Sequence, residues 1–383
     1  MPARITSPAP RDVWRAVHHS DPDAVATQAP EWMNCLALRG YTDASRLYEL
    51  PDGRRLVLPL AAKSVAGLPV SEESWPYGWG YGGLLAEGGG GLTAADCRLV
   101  LDDLESRPAV LRAVVPLPRY GSLWPGAASA QVRRVPYTSQ VVDLDGGFDA
   151  VWKRYKRQAR NSVRKAEKFE LDIRREDGIM AGSPDGRGVR IFAELYAMSV
   201  DRWAIQRGQP LRVARLLAAR RDRPGQMAAA AAALGERCVV WSVCRDGQPI
   251  AVNVVLQSGR HGVGWMCAMD QDLARTTLAT YLLHSIAIAD ACTEGMRWFH
   301  MGESDTGSGA EHFKGYFGAT PLEYEALRFE RLPLSRTEER LRAVYGAVSA
   351  RRSARRERRA GAPAGAATAG DATGEKTSSG STA

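Results

Sequence analysis

The chain has 383 residues, 45% of them hydrophobic and 25% charged, with a net charge of +8. That profile suits a soluble globular protein of one large or two ordinary domains and excludes the disordered and fibrous classes. No apolar run approaches the ~20 residues a membrane span needs, and "MPARITSPAPRDVW" has no basic segment followed by an apolar stretch, so no secretory signal is read and a cytoplasmic protein is expected.

Residues 1–29 read as an N-terminal lead. "PEWMNCLALRG" then has the spacing of a short amphipathic helix, and "SRLYELPDGRRLVLPLAAK" reads as two strands around the turn Pro51-Asp52-Gly53. In "SWPYGWGYGGLLAEGGGG" the glycines permit tight backbone, and Trp75, Tyr77, Trp79 and Tyr81 either line a groove or pack a loop. "AADCRLVLDDLESRP" has helical spacing, "AVLRAVVPL" and "YTSQVVDL" read as strands, and Gly146-Gly147 marks a boundary, giving an α+β domain over 30–146.

A second domain spans 147–333. It opens on a basic helix from about Phe148 to Phe169, followed by the strand "LDIRRE", the helix "GVRIFAELYAMSVDRWA" and a long alanine-rich helical segment. Three strands follow in "RCVVWSVCRDGQPIAVNVVLQSGRHGVGWMCAMD", then the helix "TTLATYLLHSIAIADACTEG", capped by Gly295, and the strand "RWFHMG". Residues 334–383 read as a basic, disordered tail, since Ala, Gly, Ser and Thr cannot bury enough apolar surface.

The basicity is local. Lys153 to Lys168 carries eight Lys/Arg against one acid, and Arg351 to Arg359 six against one. Such stripes suggest a polyanionic partner, although a solvated helix face reads the same way. The six cysteines form no C-x-x-C pair and most stand in apolar stretches, which predicts buried free thiols; the six histidines show no H-E-x-x-H spacing. A metal enzyme is disfavoured and no cofactor is expected.

The order of helix, helix, antiparallel strands, helix, strand resembles the plan of a GNAT acyltransferase domain. "HMGESDTGSGAEHFKGYFGATPLEY", His300 to Tyr324, resembles the C-terminal signature of the Fem-type aminoacyl transferases. The basic helix "RQARNSVRKAEKFELDI", with "DLDGGFDAVWKRY" before it and "DGQPIAVNVVL" after it, is similar to theirs. The likeness covers most of Pro30 to Leu332. It implies an α/β (α+β) fold of two tandem GNAT-like domains, with mixed central sheets flanked by helices. It also implies amide formation on a primary amine with aminoacyl-tRNA as the donor.

Such chemistry needs no covalent nucleophile and no metal, in keeping with the missing G-x-S-x-G elbow and zinc patterns. Acetyl-CoA enzymes of the GNAT type cradle pyrophosphate on a Q/R-x-x-G-x-G/A loop at a helix N-terminus. Here "DLARTTLATYLL" keeps Arg275 but lacks the glycines, as the Fem-type proteins do. By the resemblance, Lys314 lies at the active site, where a cation offsets developing negative charge. Glu303 and Asp305 are candidates to accept or orient the amine's proton, with turn-forming or helix-capping the favoured role for Asp305.

Arg202, Trp203, Asn253, Trp265, Tyr281 and Phe313 are candidates for the substrate cleft. Arg202 suits a carboxylate or phosphate, and Asn253 among aliphatics needs a hydrogen-bond partner. Arg157, Arg160, Arg164, Lys165 and Lys168, with Arg275, are expected to meet tRNA phosphates by charge alone, although they are spread too widely around a helix to face one partner together. Peptidoglycan bridge synthesis and tailoring of a small-molecule amine both fit these residues. An acyl-CoA-dependent N-acyltransferase and a noncatalytic RNA-binding protein are the rival readings.

Overall fold

The computed structural model describes residues 3–332 apart from 77, 90 and 184; Tyr77, the expected tail and its arginine run lie outside these residues. The first half runs β1 (Arg4–Thr6), α1 (Arg11–Ser20), α2 (Trp32–Ala37), β2 (Thr42–Asp43), β3 (Arg46–Glu49), β4 (Arg55–Leu58), β5 (Ala61–Val65), β6 (Leu68–Glu73), β7 (Leu85–Ala86), α3 (Ala94–Ser106), β8 (Leu111–Val114), α4 (Leu123–Ala127) and β9 (Arg133–Asp143). The second half begins with α5 (Gly147–Arg154), α6 (Arg157–Ala166), β10 (Asp172–Asp177), α7 (Gly178–Gly182), α8 (Gly188–Gln206), α9 (Leu211–Arg221) and α10 (Arg223–Leu234). It closes with β11 (Cys238–Arg245), β12 (Gln248–Ser258), β13 (His261–Met269), α11 (Gln271–Thr277), α12 (Ala279–Thr293), β14 (Trp298–Glu303), α13 (Gly309–Gly315) and β15 (Thr320–Glu330).

Eleven strands form one mixed sheet in the order β10-β11-β12-β13-β14-β9-β15-β8-β6-β5-β2, and β1-β3-β4-β7 form a second. The two halves of the chain therefore share a sheet. β9 pairs with β14 on one side and β15 on the other, and β15 returns to pair with β8. No strand is read from the sequence at β15, because its apolar pattern changes face midway: Tyr324 joins one core cluster while Leu327 and Phe329 join another. A period of two is lost wherever both faces of a strand are buried.

Alternation in the second half sorts the helices. Val240, Val252 and Val254 pack with Phe192 and Leu195 of α8, whereas Val239 and Val255 pack with Ala287 and Ile288 of α12. The two helices thus cover opposite faces of the sheet, and α6 packs beside α12. Among the described residues no helix is long and apolar enough to cross a membrane.

Three expected helices are broken. The basic helix divides into α5 and α6 at Tyr155, whose backbone turns extended. Its ring is fully buried against Trp152 and Phe317, and Lys156 N donates to Tyr316 O at 2.8 Å. Burial of the aromatic outweighs continuation of the helix. The alanine-rich segment breaks at Asp222, which is left-handed and caps α10 by accepting from Gly225 N, and the helix before Gly295 breaks at Leu278, also left-handed.

Residues 1–29 contain a helix the sequence reading does not find. Trp14 of α1 is fully buried, its indole donating to Gln28 O at 2.8 Å. Trp14→Ala is expected to cost about 3–5 kcal/mol, the range for emptying a large aromatic site. Guanidinium denaturation measures it, and a loss under about 1 kcal/mol would detach this segment from the core. Cys35, Cys97, Cys238 and Cys244 are buried free thiols, as expected, but Cys267 is exposed.

Candidate active site

β13 and β14 run parallel and bonded only from His261–Val263 against Trp298–His300. Beyond that they part. β14 bulges at Met301 and Gly302, since its pairing with β9 steps from His300↔Val141 to Glu303↔Ser139. Gly302 takes φ 78°, which glycine adopts without steric cost. β13 bulges against β12 at Trp265, between the pairs Val254↔Met266 and Val255↔Gly264. Two bulges on facing strands open a fork in the sheet.

A cavity of about 340 Å³ lies at this fork. Strands β13, β14, β9, β15, β8 and β6 contribute one wall; Trp75, Pro76, Gly78, Gly80 and Tyr81, with α8 and α10, contribute the rest. Trp75 and Tyr81 are both buried and line it, so the aromatic-glycine stretch packs and walls a groove at once. Trp79 is buried against Trp32. The cavity touches Met266, whose register partner Val254 faces α8, and Cys267, opposite Asn253 on the other face. The fork therefore connects the two faces of the sheet.

Lys314 stands at this opening. Ser308 caps α13 by accepting from Glu311 N, and Phe313 packs among Tyr281, His284 and Phe317 with ring centroids 5.0–5.3 Å apart. This anchorage directs the Lys314 side chain to β14, where Nζ donates to Gly302 O at 3.0 Å and Glu303 O at 2.8 Å. Desolvation lowers its pKa to about 8, opposed by the charges of Glu303 and Cys267. The Glu303 carboxylate accepts from Tyr324 OH at 2.5 Å. Tyr81 OH and Ser139 Oγ share a bond of 2.6 Å. Burial pushes both phenols up, so they remain neutral donors.

The remaining candidates divide. Trp203 and Trp265 line the cavity, and Trp265 Nε1 has no hydrogen-bond partner among the described residues. Asp305 lies exposed in the turn before α13, its carbonyl accepting from Ser308 N. Arg202 donates to Met269 O at 3.3 Å, away from the cavity wall. Asn253 is buried in β12 between Trp241 and Cys267 in register. Tyr281 and Phe313 form the aromatic packing behind Lys314, with Tyr281 OH accepting from Gln158 Nε2 at 3.4 Å.

Of the basic group, Arg160 is tied down, donating to Lys153 O at 3.2 Å and to Tyr155 O across the helix break. Arg164 stacks over Trp152 at 5.8 Å. Arg157, Lys165 and Lys168 are exposed. Arg275 pairs with Asp272 at 3.5 Å on α11. Sequence reasoning misses Glu73 and Arg328, which come to the cavity on β6 and β15 with no local motif around them, and assigns no role to Tyr324, which ends the Fem-like signature and reaches Glu303 from β15.

Residues 153–315 match the family model of the acetyltransferase (GNAT) domain. Among solved structures, FemX superposes with a TM-score of 0.60 at 13% identity, over 85% of this chain and 97% of that one. The C-terminal domain of a putative lysylphosphatidylglycerol synthetase from Agrobacterium fabrum gives 0.47 at 12% identity, over 82% and 92%. A tandem GNAT protein from the clavulanic acid biosynthesis pathway gives 0.47 at 13%, over 86% and 99%. The likeness to FemX is one of fold. No curated protein matches.

Proposed function

The chain is an acyltransferase with a GNAT-type domain over residues 153–315, and we propose that it forms an amide on a primary amine with aminoacyl-tRNA as donor, in the cytoplasm where that donor is made. The observation that carries the donor is α11. It fills the connection between β13 and α12 where a glycine loop would cradle pyrophosphate, and the Thr276 and Thr277 hydroxyls are bonded back to Asp272 and Leu273 carbonyls. The Fem-like signature around Phe313-Lys314 and the exposed cations of α6 support the same reading.

On this reading the donor approaches from the α6 and α12 face and the acceptor occupies the cavity on the α8 face. The amine attacks the ester carbonyl through the fork. Lys314 offsets the charge on the carbonyl oxygen, Glu303 takes the amine proton, and the ester carbon–oxygen bond breaks as the proton passes to the departing ribose oxygen.

Binding at two salt concentrations tests the donor. With Arg157, Lys165 and Lys168 as the phosphate contacts, affinity for charged tRNA is expected to fall roughly 20- to 40-fold between 50 and 200 mM salt. Saturable acetyl-CoA binding beside weak, salt-insensitive RNA binding would overturn it. The acyl-CoA alternative draws on the matched family description, which is that of an acetyltransferase domain.

A further inference from the structure

The cavity carries charges that the transfer step does not use. Glu73 of β6 and Arg328 of β15 both stand opposite Ala113 of β8. The three form one row across adjacent strands spaced about 4.8 Å, all lining the cavity. Ala113 offers only a methyl between acid and arginine. Arg223 reaches the same cavity from α10, donating to Gly78 O and Gln226 Oε1, each at 2.9 Å. Burial raises the Glu73 carboxyl, while Ser71 and Arg328 draw it back.

This pole is remote from Glu303. Glu303 faces Ser139 of β9, which faces Leu322 of β15. From Leu322 to Arg328 a strand advances about 20 Å, and two strand spacings add about 10 Å across. That sets the two Cα atoms about 22 Å apart, and with both side chains leaning along the sheet into the shared cavity a ligand bridging the Glu303 carboxylate and the Arg328 guanidinium would span on the order of 10 Å. A volume of about 340 Å³ stretched over that distance is a slot for one extended chain. Its walls between the poles are apolar and aromatic, including Val115, Tyr137, Phe192 and Tyr196.

Resting on the amide-forming reading above, we propose that the acceptor is an extended amino-carboxylate. Its amine meets Glu303, its carboxylate meets Arg328 and Arg223, and Glu73 orients Arg328. At about 3.3–3.6 Å per residue the span matches a tripeptide or an ω-amino acid of equal length. A free α-amino acid, with both groups on one carbon, is too short to touch both poles.

The test needs no donor. Trp75, Trp203 and Trp265 line the cavity, so tryptophan fluorescence of the full chain reports binding of 8-aminooctanoate, octylamine, octanoate and glycine. 8-Aminooctanoate is expected to bind about 10- to 100-fold tighter than octylamine or glycine, the worth of one charge-assisted contact. Arg328→Gln removes that margin and Arg328→Lys restores part of it. Equal binding of octylamine, a margin surviving in Arg328→Gln, or no binding by any of the four overturns the assignment. Acylation of 8-aminooctanoate from charged tRNA is assayed separately, and its failure beside selective binding would remove the donor reading while upholding the carboxylate pole.

Discussion

Lys314→Met is expected to lower kcat/KM by about 10²- to 10³-fold, the scale of losing one group aimed at developing charge. The melting temperature should hold or rise, because burial already disfavours the charged ammonium. Its pH profile carries the sign. With a pKa of about 8 in place of an ordinary 10.5, a working ammonium is present below about pH 8 and lost above it, which gives kcat/KM a falling limb there. Lys314→Arg keeps a cation at all accessible pH, so some activity returns and the falling limb moves up. A rate that instead climbs through pH 8 in the wild type would make the neutral amine the working form. Loss of folding in Lys314→Met would reduce the residue to a tie between α13 and β14.

The element order of the second half is legible because helix and strand periods there are local properties of "VVWSV", "AVNVVL" and the segments around them. Phe313-Lys314 is read through its resemblance to the Fem-type signature, whereas its anchorage comes from Tyr281 and His284 of α12 and from Phe317. What the sequence hides is non-local. β15 inserts between β8 and β9, and that insertion alone brings Tyr324 to Glu303 and sets Arg328 in a row with Glu73. The fork is hidden too, because a bulge is a pairing event between two strands and neither Trp265 nor Gly302 announces it alone. The break at Tyr155 follows from an aromatic cluster assembled with Phe317, far along the chain.

Glu303→Gln is expected to lower kcat by about 10²- to 10⁴-fold, the range for a general base, and its partner on β15 shows whether that assignment holds. Tyr324 donates to the Glu303 carboxylate, a positioning bond to a charged group whose loss in Tyr324→Phe should cost about 10-fold or somewhat more. Residues that act through one another are not additive. If Tyr324 works by holding Glu303, adding Tyr324→Phe to Glu303→Gln costs less than about twofold further, since the carboxylate it oriented is gone. If the two losses multiply, Tyr324 serves the substrate directly and the proton does not end on Glu303. Wild-type kcat in Glu303→Gln beside a collapsed Lys314→Met would leave electrostatic stabilisation at the fork as the whole of the protein's contribution, with the amine proton passing to water.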